Sequence, residues 1–340
     1  MSELIPLTTA QFSAGQDLDG AAAELLLDEV IAATDEALLA DLFKAWNRKG
    51  IASDEIYSIA KVLRERCIKV NSRYDKFVDI VGTGGSLAKT FNVSTAAAFV
   101  VAGADVPVAN HGNRAATSSS GSADVLAELG VRSDIDPNVA QQCLNELGIC
   151  FMFAPNHHRL SATLARVRRN LGFPTIFNCV GPLSNPAGAP HQVIGVWNRE
   201  LVSKVAEALS RLGTSRSWVV NGHDKLDEIS MTGGTTVSDI SDKSISTFEV
   251  TARDVGIDSF DGDLPSGCSI NESAEVIRMI LSDKMRDRDP EKLVLLNAAA
   301  AIYVAGKEKS LASAYLAARE SIRSGSAEQK LAELSQITNG

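Results

Sequence analysis

The residues best able to do chemistry begin at Gly82-Thr83-Gly84-Gly85, right behind the apolar run FVDIV. Three glycines after a strand let the backbone approach an anion closely and turn N–H groups toward it. Asn92-Val93-Ser94-Thr95 follows and heads the small-residue helical stretch STAAAFVVAGA. A helix N-terminus offers unbonded N–H groups and a partial positive charge, and Ser and Thr hydroxyls add donors there. Either element alone reads equally well as a tight turn or an ordinary helix cap. At this spacing the two together form a phosphate cradle. No Gly-Lys-Ser/Thr follows, so this is not a P-loop, and the dinucleotide fingerprint G-x-G-x-x-G is absent.

Three further groups point to the same chemistry. His111-Gly112-Asn113-Arg114 directly follows the strand-like VPVAN and leads through TSSSGS to Ser122. Ligands of parallel α/β sheets bind beyond the carboxyl ends of strands, which puts this motif beside the glycine turn. Asp227-Glu228 lies in a loop after the strand-like SWVVNG. Adjacent carboxylates there suit Mg²⁺, which takes a few carboxylates and completes its shell with water and substrate phosphate. Arg168-Arg169 lies on the helical SATLARVRRNLG. At least one of the pair belongs to a solvated face, and Arg168 is the better candidate to grip a carboxylate in a bidentate contact.

These groups need a scaffold, and the periodicity supplies one. Gly20 to Lys69 repeats apolar residues at three- and four-residue spacing, with Thr34-Asp35 and Ser53…Glu55 as helix starts and Gly50 as a stop. From Phe77 short apolar runs alternate with helical stretches, which argues for an α/β domain with a mostly parallel sheet. Ser244 to Val250 alternates like an antiparallel strand, Ser161 to Pro186 reads as helical, and LLNAAAAIYVAG is apolar on all sides and so predicted to be buried.

A chain of 340 residues exceeds one small core, and at roughly 100–200 residues per domain two domains are expected. Apolar residues are 45% and aromatics only 5%, which fits helices on a sheet better than a β-sandwich. The net charge of −9 and the lack of a basic stripe argue against a nucleic-acid partner. Five scattered cysteines without a CxxC pair read as reduced thiols of a cytoplasmic protein. The N-terminus has no signal-peptide pattern, and no apolar run approaches the ~18–20 residues of a membrane span.

DIVGTGG, NVST, HGNR, SGSADVL, FAPNHH, VRRNLG, TIFNCVGPLSNPA, LDEIS and LLNAAAAIYVAGK occur here in the order seen in anthranilate phosphoribosyltransferases, from about Ala22 to the end. The sequence resembles that family. The resemblance implies a small helical domain, residues 1–75 completed by about 161–187, and a large α/β domain of residues 76–160 and 188–340. It implies a homodimer joined through the helical domain. It also implies transfer of phosphoribosyl from phosphoribosyl pyrophosphate to anthranilate in tryptophan biosynthesis, with two Mg²⁺ ions and no covalent nucleophile. By position, Gly82, Thr83, Gly84, Gly85, Asn92, Ser94, Thr95 and Ser122 would bind the donor. Gly82, His111, Asn113, His158 and Arg168 would line the anthranilate side, and Ser94, Asp227 and Glu228 would hold the metal.

The sequence departs from the family pattern at three places. Ser86-Leu87 stands where the family usually has Asp-Gly, Asn110 where it has Lys, and Arg159-Leu160 where it commonly has Pro-Ala. The first two remove charges on the donor side, where one charge-assisted contact is worth about 1.5–3 kcal/mol. Lys89, nearby in sequence, is the candidate to compensate. A weak or non-catalytic paralogue that binds a phosphate ligand or partner in the same cleft is the alternative.

Overall fold

A computed structural model describes residues 3–86, 90–114 and 121–340. Leu87, Lys89 and the run from Ala115 to Ser120 lie outside the described residues.

Four helices open the chain: α1 (Leu4–Ser13), α2 (Gly20–Ala32), α3 (Glu36–Lys49) and α4 (Ser53–Arg66). Asp35 caps α3 by accepting from the Ala37 and Leu38 N–H groups at 2.9 and 3.1 Å, satisfying donors with no partner inside the helix. Gly50 ends α3 at φ 90°. Sequence periodicity starts the helices at Gly20, and α1 is an addition. Pro6 falls in its first turn, where a missing N–H is harmless, and Phe12 anchors it on Trp46 with ring centroids 4.7 Å apart. Fully buried Glu55 gathers this end of the chain. Its carboxylate accepts from Trp46 Nε1, Leu18 N and Ala52 N at 2.8, 3.1 and 3.0 Å and pairs with Lys49 at 2.9 Å.

The α/β part continues with β1 (Val78–Gly82), α5 (Val93–Gly103), β2 (Val108–Gly112), α6 (Ser122–Glu128), α7 (Pro137–Leu147) and β3 (Ile149–Phe153). Next come α8 (Ala154–His158), α9 (Ala162–Leu171), α10 (Ile176–Leu183), β4 (His191–Gly195), α11 (Glu200–Leu212) and β5 (Arg216–Gly222). The chain ends with β6 (Thr235–Ser241), β7 (Ser244–Val250), α12 (Ile270–Leu281), α13 (Asp289–Val304), α14 (Leu311–Arg323) and α15 (Ser326–Asn339). One seven-stranded sheet has the order β3-β2-β1-β4-β5-β6-β7. β1 to β5 pair in parallel, and β6 and β7 add antiparallel. The mostly parallel α/β fold expected from the alternation is therefore the fold observed. β7 is the antiparallel strand expected at Ser244 to Val250. β6 has no such signal, because Thr235 and Ser238 are buried polar residues that break the apolar pattern.

The strand order reverses between β1 and β4, the place where open α/β sheets bind ligands. Gly82 lies opposite Gly195 there, so both strands end level.

Alternation along the strands feeds two cores. Val193 joins the core beneath α5 and the buried α13, and its neighbour Ile194 joins the other. That second core runs from α1–α4 through α9 and α10 to the sheet face under α11. Helix α9 packs on α3 and α10 on α4.

Close packing of α5 depends on Gly103. A Cβ there would lie 2.3 Å from Ser321 Oγ and 2.7 Å from the Ala327 nitrogen. Gly103→Ala is expected to lower stability by about 1–3 kcal/mol, read as a shift of the urea midpoint with unchanged slope.

Candidate active site

A cleft of about 560 Å³ opens at the carboxyl ends of β1 and β2. Gly82, Thr83 and Gly84 line it, as do Asn92, Ser94 and Thr95, His111 and Asn113, Ser122, His158 and Arg168, Asp227 and Glu228. Gly85 is not part of the lining; it lies under Pro174 and Trp197, where a Cβ would approach both within 2.9 Å.

The glycine turn is fixed from three sides. Thr83 donates its N–H to the Gly195 carbonyl at 2.9 Å. Its own carbonyl accepts from Asn178 Nδ2 at 3.0 Å. Gly84, at φ 68°, donates to Asp227 Oδ2 at 2.9 Å. A Cβ on Gly195 would lie 1.6 Å from the Asp227 carbonyl oxygen, so only glycine lets the Asp227 loop pass over β4. Asn92 is the N-cap of α5, with Ser94 and Thr95 in its first turn, and this helix end faces the same cleft. Ser122 opens α6, and its hydroxyl is 3.5 Å from the Asn113 carbonyl.

Glu228 Oε2 is buried without a hydrogen-bond partner among the described residues. Burial, then the Asp227 and Asp224 charges, push its carboxyl well above the usual range. Asp224 is committed elsewhere, accepting from the Ser230 and Thr232 hydroxyls at 2.5 and 2.7 Å. A cation would relieve the strain on Glu228, so the donor set fits a divalent ion. No preformed group of three His, Cys, Asp or Glu ligands occurs among the described residues; Mg²⁺ takes a few carboxylates and completes its shell with phosphate and water.

At the other end, Arg168 lies over the Phe177 ring, 5.2 Å from its centroid. Its Nε is buried without a hydrogen-bond partner among the described residues, and Nη2 is 3.5 Å from Asn178 Oδ1. Burial lowers its pKa to about 10, so it stays charged at neutral pH. Asn178 thus touches both the arginine and the glycine turn. The sequence reading does not single it out; an Asn amid the apolar TIFNCVG was the available signal.

His111 is buried, with Nδ1 2.9 Å from Asp79 Oδ2 and Nε2 2.8 Å from the Gly181 carbonyl. Burial opposes its charge, but the Asp79 carboxylate and the Gly181 carbonyl outweigh it and hold the ring above its usual range. Asp79 is the second residue the sequence reading omits, although a carboxylate inside FVDIV must be paired. Asn113 Oδ1 accepts from the Arg114 N–H at 2.7 Å.

The departures are also placed. Asn110 is buried and donates to the Ile80 carbonyl at 2.8 Å, tying β2 to β1. Ser86 is buried and donates to the Lys225 carbonyl at 2.6 Å. Both side chains brace backbone. Arg159 ends α8 at φ 43°, and Leu160 lines the cleft.

A mostly parallel sheet with a glycine turn, a helix N-terminus, a carboxylate pair and an arginine around one cleft at its switch point suits a phosphate-handling transferase. Residues 74–328 match the family described as "Glycosyl transferase family, a/b domain". An anthranilate phosphoribosyltransferase of Nitrobacter hamburgensis is 43% identical over 302 residues, 88% of each chain. The crystal structure of the Thermus thermophilus enzyme superposes with a TM-score of 0.88 at 34% identity, covering 98% of this chain and 99% of that one. The Saccharomyces cerevisiae enzyme in complex with PRPP and Mg gives 0.88 at 25% identity, covering 100% and 99%. The yeast enzyme in complex with 4-fluoroanthranilate gives 0.81 at 25%, covering 94% and 92%. This chain belongs to the anthranilate phosphoribosyltransferase family.

His158 yields a pH signature. Burial, then the His111 and His157 charges, lower its pKa to about 4, and the Ser184 backbone opposes only weakly. The unfolded chain protonates this ring near pH 6.5, so it binds more protons than the folded one between the two values. Stability is then present above about pH 6.5 and is lost as pH falls toward about 4, by up to about 3 kcal/mol for this group. His158→Gln is expected to flatten that part of the stability–pH curve, measured by urea unfolding.

Proposed function

We propose that this chain transfers the phosphoribosyl group of phosphoribosyl pyrophosphate to anthranilate, giving N-(5-phosphoribosyl)anthranilate and pyrophosphate in tryptophan biosynthesis. The observation that carries the reading is one cleft with an anion cradle and carboxylate pair at one end and a buried, charged arginine at the other. The relatives described above cover 88–100% of this chain, and the yeast enzyme's complexes hold PRPP with Mg and 4-fluoroanthranilate.

In this reading the turn Gly82-Thr83-Gly84 and the α5 N-terminus with Asn92, Ser94 and Thr95 receive the donor's phosphates, Gly85 packs the turn against Pro174 and Trp197, and Ser122 completes the rim. Arg168 grips the anthranilate carboxylate, Asn113 orients the ring, and His111, His158 and Gly82 bound its path. Asp227 and Glu228 would hold one Mg²⁺ and Ser94 a second. The ions would neutralise charge on the departing pyrophosphate. The protein contributes position and preorganised dipoles: the amine meets the anomeric carbon opposite the leaving group, and no covalent nucleophile is required. His158 is neutral above about pH 4, so it presents no charge to the aromatic ring.

The helical segment 1–75 with 161–187 is proposed as a domain distinct from 76–160 and 188–340, and as the homodimer surface. Leu7 and Leu25, 63% and 60% exposed on α1 and α2, are apolar groups available to it. All five cysteines are buried thiols, which suits the cytoplasm. No helix among the described residues is long and apolar enough to cross a membrane.

The test is loss of anthranilate fluorescence with purified protein, Mg²⁺ and a wide range of donor concentration. Saturable turnover is expected, with a high donor requirement because Asn110 and Ser86 supply no charge. Asp227→Asn/Glu228→Gln is expected to reduce the rate at least about 100-fold, the effect of two lost charged contacts of about 1.5 kcal/mol each. Folded protein without turnover at any donor concentration would overturn the assignment. Arg168→Ala is expected to raise the anthranilate KM by about tenfold or more with a much smaller change in the donor KM, measured in the same assay.

A further inference from the structure

Asp79 is fully buried in the middle of β1. Its Oδ2 accepts from Asn185 Nδ2 at 2.8 Å and lies 2.9 Å from His111 Nδ1. Its Oδ1 has no hydrogen-bond partner among the described residues. Across the ring, His111 Nε2 is 2.8 Å from the Gly181 carbonyl. Both close neighbours are acceptors, and the Asn185 Nδ2 amide 3.5 Å from Nδ1 already donates to Asp79 Oδ2 and the Ala109 carbonyl at 2.8 Å each. A neutral imidazole carries one N–H and could satisfy only one of them, whereas the doubly protonated ring satisfies both.

The second acceptor sits where a cation is favoured. Gly181 lies in the last turn of α10, where backbone carbonyls concentrate negative potential. Arg64 donates from α4 to the neighbouring Leu183 carbonyl, so one cation already holds this helix end. Gly181 and Pro182 line the cleft on the same helix as Asn178, which reaches Arg168.

We propose that Asp79 and His111 form a permanently charged pair whose imidazolium clamps the Gly181 carbonyl, making His111 a positioning residue that shapes the acceptor end of the cleft through α10. This excludes proton transfer by His111 and rests on the proposed reaction only for its kinetic consequence. Asp79 on β1 favours the charge, burial and Arg64 on α4 oppose it, His157 and His158 on α8 are rings whose pKa burial lowers, and Cys150 on β3 is a thiol whose pKa burial raises. The direct ionic hydrogen bond at 2.9 Å dominates these more distant effects.

The decisive experiment is nitrogen NMR of the full chain with ¹⁵N-labelled histidine, without substrate, the His111 signals being identified by their loss in His111→Gln. Both ring nitrogens of His111 are expected to stay protonated from pH 6 to 9. One protonated and one bare nitrogen at pH 8 would overturn the proposal, whatever the chain's activity. In Asp79→Asn, with its carboxylate gone, the ring is expected to become a neutral single tautomer at pH 8. The anthranilate KM should then rise about tenfold, as for loss of one charge-assisted contact, with the donor KM within about twofold. An unchanged anthranilate KM, or an equal rise in both, would overturn the positioning role. Should Asp79→Asn fail to fold, the wild-type ring signals still decide whether the charged pair exists.

Discussion

The Asp227 carboxylate on the Gly84 N–H is the contact on which the cleft depends. It joins the loop after β5 to the turn after β1, across the intervening β4. Gly195 makes the crossing possible, because any side chain there would occupy the Asp227 carbonyl. The Thr83 N–H and carbonyl are tied to β4 and α10 at the same time. The turn proposed to face the donor is thereby held in place without a ligand, so ordering it would cost the bound state little.

The same frame links the two ends of the site. Asn178 bonds the glycine turn and approaches the arginine at the opposite end. Helix α10 therefore forms a wall common to both, and its far turn is held by Arg64 and His111. Buried polar groups carry a high cost when unmatched. Among the described residues, the buried side-chain atoms left unmatched include five in the cleft: Thr83 Oγ1, Glu228 Oε2, Arg168 Nε and both ring nitrogens of His158. A metal and an aromatic acid could satisfy such atoms.

Much of this was legible in the sequence because local rules and global fold agree. GTGG behind an apolar run and Ser-Thr at a helix start became a strand-end turn and an N-terminus facing one cleft. The alternation of apolar runs gave the five parallel strands in order. What escaped was held by tertiary contacts. α1 contains proline and threonine and is fixed by Phe12 against Trp46. β6 buries Thr235 and Ser238 through sheet pairing. Asp79 and Asn178 acquire their parts only when residues 32 and 95 positions away meet them. Asn110 and Ser86 look from sequence like lost charges. Their side chains turn inward to brace Ile80 and Lys225, a use that residue type alone does not disclose.

The most direct measurement of whether the pinned turn is the donor cradle is calorimetric titration of phosphoribosyl pyrophosphate with saturating Mg²⁺ into wild type and Gly195→Ala. This substitution deletes no proposed ligand side chain, and its Cβ, 1.6 Å from the Asp227 carbonyl oxygen, forces the Asp227 loop and β4 apart and so unpins the turn and the proposed metal carboxylate together. The account predicts at least about tenfold weaker donor binding in folded Gly195→Ala, a loss of one or more contacts of about 1.4 kcal/mol. Equal donor affinity in the two proteins would contradict it.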